Sequence, residues 1–353
     1  MLLVSIIINN YNYGRYLAPA IESALGQTYP AVEVIVVDDG STDDSRAVIA
    51  RYGARIKPVF KPNGGQASAL NAGFALSHGE LVIFLDADDV LMAETAGWAA
   101  AAFSAEPQAA KLYYRMRVID AQGQPTGAVK PPPHQTLPAG DLRRQELNFP
   151  FDLVWMPTSG NVFSTRVLRE IMPIPEERLG AWGADWYLVH LAPLFGPVLA
   201  LPQIGAGYRV HGGNGYEPAA PALDLEHLRR TIHYAALTRA QLTAWAAHLR
   251  LARPAEILSV SDLANRLVSR RLAPQHHPVA ADRPVSLMWA GMCAAGRRFD
   301  MAWLTRALLA IWFVAMALVP QLWAPRLAAA FLFPEKRVAL NQVLRRLAWD
   351  TPA

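Results

Sequence analysis

Residues 81–89, Leu-Val-Ile-Phe-Leu-Asp-Ala-Asp-Asp, run five apolar side chains straight into three carboxylates. The apolar part is short and β-rich, as a buried strand requires. Alternation along an extended chain points Asp86 and Asp88 the same way. Two like charges at the edge of a core are costly unless something neutralises them, and a divalent cation with oxygen ligands does this well. The chemistry this suggests is the handling of a phosphorylated or nucleotide-linked substrate. The same construction occurs twice more. Val4–Ile8 leads into Asn9-Asn10-Tyr11-Asn12, and Glu33–Val37 leads into Asp38-Asp39-Gly40-Ser41.

These polar ends need elements to position them. Between the strands the apolar spacing becomes helical: Leu17, Ile21, Ala24 and Leu25 share one face, as do Ala69, Leu70, Phe74 and Ala75. Strands apolar on both faces that alternate with helices predict an α/β fold with a parallel sheet. In such sheets ligands bind beyond the carboxyl ends of the strands, so the three polar ends should line one crevice. Asn63-Gly64-Gly65 before a helix would bring backbone N–H groups near the ligand. His211 would reach a diphosphate or a metal. Residues 111–119 read as a further strand, and 121–140, with Gly123, Gly127 and three consecutive prolines, as a surface loop.

These residues resemble family 2 glycosyltransferases, inverting enzymes of the GT-A fold. The resemblance rests on Val4-Ser5-Ile6-Ile7, Tyr11-Asn12, Gln27-Thr28-Tyr29, Val37-Asp38-Asp39-Gly40-Ser41, Asn63-Gly64-Gly65, Asn71-Ala72-Gly73 and Leu85-Asp86-Ala87-Asp88-Asp89. It is dense over residues 1–100 and sparser over 155–215. It implies that Tyr11 and Asp39 contact the nucleotide base, that Asp86 holds the ribose, and that Asp88 holds Mn²⁺ or Mg²⁺. Glu-Asp-Trp of the family stands here as Ala184-Asp185-Trp186, which makes Asp185 the catalytic base; the replaced acid bears on acceptor contacts. A nucleotide-sugar donor is implied, with uridine expected because the Asp39 carboxylate would accept a hydrogen bond from a base N–H. The acceptor would be a glycan or a lipid-linked hydroxyl. A sugar-phosphate nucleotidyltransferase would need a basic, Gly-rich loop where Asn10–Gly14 stands. A catalytically idle scaffold would have no need of Asp88 and Asp185.

Composition bounds the rest. The single cysteine, Cys293, excludes an internal disulfide framework and a cysteine zinc site. No basic region precedes the apolar residues 2–8, so no secretory leader is expected. Residues 1–220 carry 16 basic and 21 acidic side chains, whereas 221–353 carry 17 and 8. A basic, apolar C-terminal third points to an acidic surface. Nucleic acid is not expected, because no nucleic-acid-binding signature is present. The run 307–325 between Arg306 and Arg326 is about 28 Å long as a helix, close to a bilayer's hydrocarbon thickness, but Pro320 interrupts it. Basic residues flank it on both sides, including Arg297, Arg298, Lys336, Arg337, Arg345 and Arg346. An interfacial or re-entrant helical pair at the cytoplasmic face of an anionic membrane is expected, with a buried soluble helix as the rival. The domain reading is therefore 1–217 catalytic, 218–285 helical extension and linker, and 286–353 membrane-associating. The sequence sets no oligomeric state.

Overall fold

The computed structural model describes residues 1–179, 183–214 and 223–332. The elements run β1 (Val4–Asn10), α1 (Gly14–Leu25), β2 (Val32–Asp38), α2 (Ser45–Ala50), β3 (Lys57–Phe60), α3 (Gln66–Ala75), β4 (Leu81–Asp86), β5 (Val90–Leu91) and α4 (Thr95–Ala105). They continue with β6 (Lys111–Ile119), β7 (Pro125–Lys130), α5 (Arg143–Asn148), β8 (Asn161–Ser164), α6 (Thr165–Ile171), α7 (Glu176–Leu179), α8 (Ala184–Leu191) and β9 (Val198–Arg209). The last are α9 (Leu225–His248), α10 (Val260–Leu272), α11 (Pro284–Arg297), α12 (Trp303–Leu318) and α13 (Ala324–Leu332).

One sheet organises the N-terminal unit, in the order β3-β2-β1-β4-β8-β6-β9-β5, with β7 paired to β6. The first four strands are parallel, and the register sets Asn10 opposite Asp38 and Asn9 opposite Asp86. The three polar strand ends therefore lie side by side, as the sequence pattern predicts. The antiparallel strand β8 then joins β4 to β6.

Burial explains why these segments are strands. Ile6, Ile7 and Ile8 are all fully buried, so β1 is covered on both faces. On one side Ile6 and Ile8 pack with Leu17 and Ile21 of α1. On the other α3 comes close enough that a Cβ on Gly73 would stand 2.3 Å from Ile7 Cγ2 and 3.1 Å from Val37 Cγ2. Each fully buried aliphatic side chain is worth roughly 1.5–3 kcal/mol.

The stretch 121–140, read from its glycines and prolines as a loop, contains strand β7, which pairs antiparallel with β6. Its first four residues are exposed, so the alternation that marks a half-buried strand is missing.

The described residues pack as two units: residues 1–214 with 237–257, and residues 223–236 with 258–332. In the second, α10, α11, α12 and α13 share an apolar cluster that includes Leu263, Leu267, Leu287, Phe313 and Ala328. Residues on both sides of position 286 thus belong to one core. The segment 274–284, read as a linker, is tied to α10: Asp282 accepts Arg266 Nε at 2.8 Å and lies 2.9 Å from His277 Nε2. The run 307–325 is not one helix, because α12 ends at Leu318 before Pro320 and α13 begins at Ala324. Among the described residues no helix is long and apolar enough to cross a membrane. Lys336, Arg337, Arg345 and Arg346 lie outside the described residues.

Gly73→Ala should cost about 1–3 kcal/mol, the usual scale for forcing an extra methyl into a packed contact. Denaturant unfolding that shows an unchanged midpoint would contradict the close α3–β1 approach.

Candidate active site

The site is built on the end of β4. Asp86 is the last strand residue; its Oδ1 accepts Asn9 Nδ2 at 3.0 Å and Gln66 Nε2 at 3.1 Å, while its backbone N–H donates to Ser159 Oγ at 3.0 Å. Burial, and next the charge of Asp88, push the Asp86 carboxyl up to about 7. Asp89 is buried beside them and is likewise raised, by burial first and then by Asp88 and Asp86. The crowding of carboxylates inferred from the sequence is therefore real.

Two residues at the end of β9 answer it. Arg209 is buried; its Nε donates to the Asp88 carbonyl at 2.7 Å, and its backbone N–H donates to Asp89 Oδ1 at 2.9 Å. His211 Nε2 lies 3.1 Å from Asp88 Oδ2. Asn214 Oδ1 accepts the His211 backbone N–H at 2.8 Å, and the His211 ring packs on Tyr16 and Tyr13, with centroids 4.8 and 5.5 Å away. Asp88 is thus gripped through both its carbonyl and its carboxylate. Arg209 was not singled out from the sequence, although Arg209 and His211 alternate at the end of a strand and so emerge on one side.

Asp39 lies at the end of β2 and is buried. Its Oδ1 accepts Lys61 Nζ at 2.5 Å and Gly64 N–H at 3.1 Å, and its Oδ2 accepts the N–H groups of Gly64 and Gly65 at 3.1 and 2.7 Å. The backbone donors after Asn63 therefore serve the Asp39 carboxylate, and Asn63 itself is exposed on that loop. Gly40 makes the turn after β2 with φ +79°, and a Cβ there would stand 2.6 Å from Asn63 N, so only glycine fits. Tyr11, just past β1, is 46% exposed, which leaves its ring available to stack.

Asp185 stands in the first turn of α8, which Gly183 enters at φ +97°. Its Oδ1 accepts the Trp186 N–H at 2.8 Å, a local capping contact. Burial raises its carboxyl above the ordinary value, and its charge in turn raises Asp86. Asp185 therefore lies near enough to Asp86 for their charges to interact.

Behind α8 lies a polar cluster that the sequence did not reveal. His190 Nδ1 and Glu146 Oε1 are 2.6 Å apart and fully enclosed. Lys111, at the start of β6, is also fully buried, with Nζ 4.6 Å from the Trp155 ring centroid. Burial holds Lys111 down to about 7 and His190 down to about 3, and lifts Glu146 well above the carboxylate range. His190 is therefore neutral, and Glu146 is its hydrogen-bond partner. The three come from positions 111, 146 and 190, and no local spacing links them.

An α/β sheet thus carries clustered carboxylates at the end of β4, a buried arginine bonded to their backbone and a further carboxylate on α8 whose charge reaches Asp86. Residues 5–156 match the family model described as glycosyl transferase family 2. An uncharacterized glycosyltransferase from Nostoc sp. is 35% identical over 223 residues, which cover 62% of this chain and 68% of that protein. A chondroitin synthase from Pasteurella multocida is 37% identical over 124 residues, 34% of this chain and 13% of that protein. A Rickettsia prowazekii glycosyltransferase is 48% identical over 88 residues, and the match spans only 28% of its length. Among solved structures, S. aureus TarS 1–349 in complex with UDP-GlcNAc superimposes with a TM-score of 0.53 at 16% identity, covering 94% of this chain and 91% of that one. The mannosyltransferase PcManGT from Pyrobaculum calidifontis, in complex with GDP-Man and Mn²⁺, gives 0.51 at 17% identity, covering 94% and 86%. At such identities these two establish the GT-A fold. The chain belongs to glycosyl transferase family 2, and it is a glycosyltransferase.

Glu146→Ala should lower stability by about 1–3 kcal/mol, because it leaves the buried His190 Nδ1 without its hydrogen-bond partner. Glu146→Ala combined with His190→Leu, which removes both members of the bond, should recover part of that loss. Urea unfolding distinguishes the two; strictly additive losses would show that the hydrogen bond does not couple them.

Proposed function

We propose that this glycosyltransferase moves a sugar, with inversion, from a nucleotide-diphosphate donor to an acceptor hydroxyl, with a divalent cation assisting. The observation that supports the reading best is the clustering of Asp86, Asp88 with its His211 partner, and Asp185, whose charges interact at the end of β4.

The donor set suits Mn²⁺ or Mg²⁺. Such ions bind through one or two carboxylates and complete their shell with substrate phosphates. Among the described residues no cluster of three or more His, Cys, Asp or Glu side chains forms a protein-only cage, which fits a cation shared with a diphosphate. Asp88 would hold the ion, with His211 setting the carboxylate's orientation. When bound, the cation offsets charge on the departing diphosphate.

The chain's own residues do the rest. Asp86 accepts a ribose hydroxyl at the crevice floor. Tyr11 stacks on the base, and the Asp39 carboxylate accepts a base N–H by taking over the place that Lys61 fills. That hydrogen bond favours uridine. Asn63 lines the rim of the base pocket beside Asp39. Asp185, kept partly desolvated, takes the proton of the acceptor hydroxyl as its oxygen attacks the anomeric carbon. The bond from that carbon to the phosphate oxygen breaks on the opposite face, and a nucleoside diphosphate leaves. One carboxylate suffices, because single displacement needs no covalent nucleophile. The acceptor is a glycan or a lipid-linked glycan intermediate. That class is supported by the likeness of residues in the catalytic half to a chondroitin synthase.

Asp185→Asn keeps shape and removes the base. Its kcat should fall by about 10²-fold or more, the scale of general-base loss, with donor affinity nearly unchanged. Because burial raises the Asp185 carboxyl, the wild-type kcat/KM should fall on the acid side at a pH above the ordinary aspartate value of about 4, as the base becomes protonated. The Asn variant should lack that limb. A parallel loss of donor affinity and turnover would instead make Asp185 a helix-capping residue.

A further inference from the structure

Among the described residues, the second unit leaves one apolar face exposed, and that face has a shape. On α12, Leu304, Leu308, Ile311 and Leu318 are all exposed, and their spacing places them on a single stripe. Phe313, Met316 and Ala317 line the opposite side and are buried in the cluster with α10 and α11. The helix therefore has two apolar faces, only one of which the fold uses. Trp303 stands at the start of the stripe, 73% exposed, and Leu322 and Trp323 stand past its end, 80% and 51% exposed. On the adjacent helix α11, Val285 and Trp289 are exposed one turn apart.

Charge tells what covers this face. Between Arg283 and Leu332 there are five arginines and one acid, Asp300. Asp300 is engaged by Arg298 through two bonds of 2.7 Å. Arg297 is exposed at the end of α11, and Arg326 is exposed with its guanidinium 4.8 Å from the Trp323 ring centroid. Exposed arginines at Arg283, Arg297 and Arg326, beside an apolar stripe with tryptophans at both ends, match the anionic headgroup layer over an acyl core. A second copy fits worse, because a twofold contact would set these arginines against themselves. The 16 residues of α12 give about 24 Å, short of the roughly 30 Å hydrocarbon core, a length that suits lying along an interface rather than crossing it.

We propose that the exposed α11–α12 face is a docking surface for an anionic lipid bilayer, with α12 lying flat and its Leu304–Leu318 stripe inserted among the acyl chains. The proposal is independent of the donor chemistry assigned above.

The test is vesicle flotation of the full chain with phosphatidylcholine alone and with a phosphatidylcholine–phosphatidylglycerol mixture. Ile311→Glu with Leu318→Glu changes only exposed positions, and unaltered circular dichroism and donor binding would show the fold intact. Wild type should float with the anionic vesicles, and brominated acyl chains should quench its tryptophan fluorescence. Partitioning should fall about a hundredfold or more in the double variant, since each of the two apolar side chains withdrawn from the acyl layer is worth about a factor of ten or more. Neutral vesicles should bind markedly less. Wild type left at the bottom of the anionic gradient, or equal flotation of the double variant, overturns the proposal. So does a wild-type dimer in sedimentation that the double variant abolishes without any flotation, which would assign the face to a second copy.

Discussion

Three carboxylates at the end of one strand are the constraint around which the catalytic half is arranged. Asp86, Asp88 and Asp89 repel one another in a place from which water is largely withdrawn, and two of them are raised for that reason. The fold tolerates the cost by bringing β9 alongside β6 and β5, so that Arg209 and His211 arrive at the same point. Neither fully neutralises the cluster. The residual negative potential is what a divalent cation carrying a diphosphate would use in the proposed reaction.

The neighbouring loop around Asp39 follows the same logic on a smaller scale. Asp39 gathers Lys61 and the N–H groups of Gly64 and Gly65, so the loop before α3 is shaped by a carboxylate rather than by its own turn chemistry. Gly40 makes the close approach possible. The helix that bears Asp185 is anchored differently, with His190 on its inner face locked to Glu146. These inner-face contacts fix the helix that carries Asp185, the proposed base. Positioning of this kind is what a desolvated general base requires.

How much of this was legible in the sequence depended on whether the signal was local. The strand ends at Asn10, Asp38 and Asp86 were legible because an apolar run ending in acids is a local pattern, and the parallel register then aligned them. Strand β7 was not, because an exposed edge strand lacks the alternation that burial writes into a sequence. The Lys111–Glu146–His190 cluster was invisible, since nothing in the one-dimensional order joins residues so far apart. Arg209 was half visible: its spacing from His211 was on the page, but its partner is a backbone carbonyl, which leaves no mark in side-chain chemistry. The break at Pro320 was legible, and it ends α12 where proline chemistry dictates.

The central claim is that Asp88, gripped by Arg209 and His211, makes donor binding depend on a cation. Calorimetric titration of UDP-sugars into the full chain, with Mn²⁺ and with chelator, measures it directly, and Asp88→Ala is the matching variant. Tight binding with Mn²⁺, lost on chelation and lost alike in a folded Asp88→Ala protein, is the expected result. Equal donor affinity in all three conditions would contradict the account.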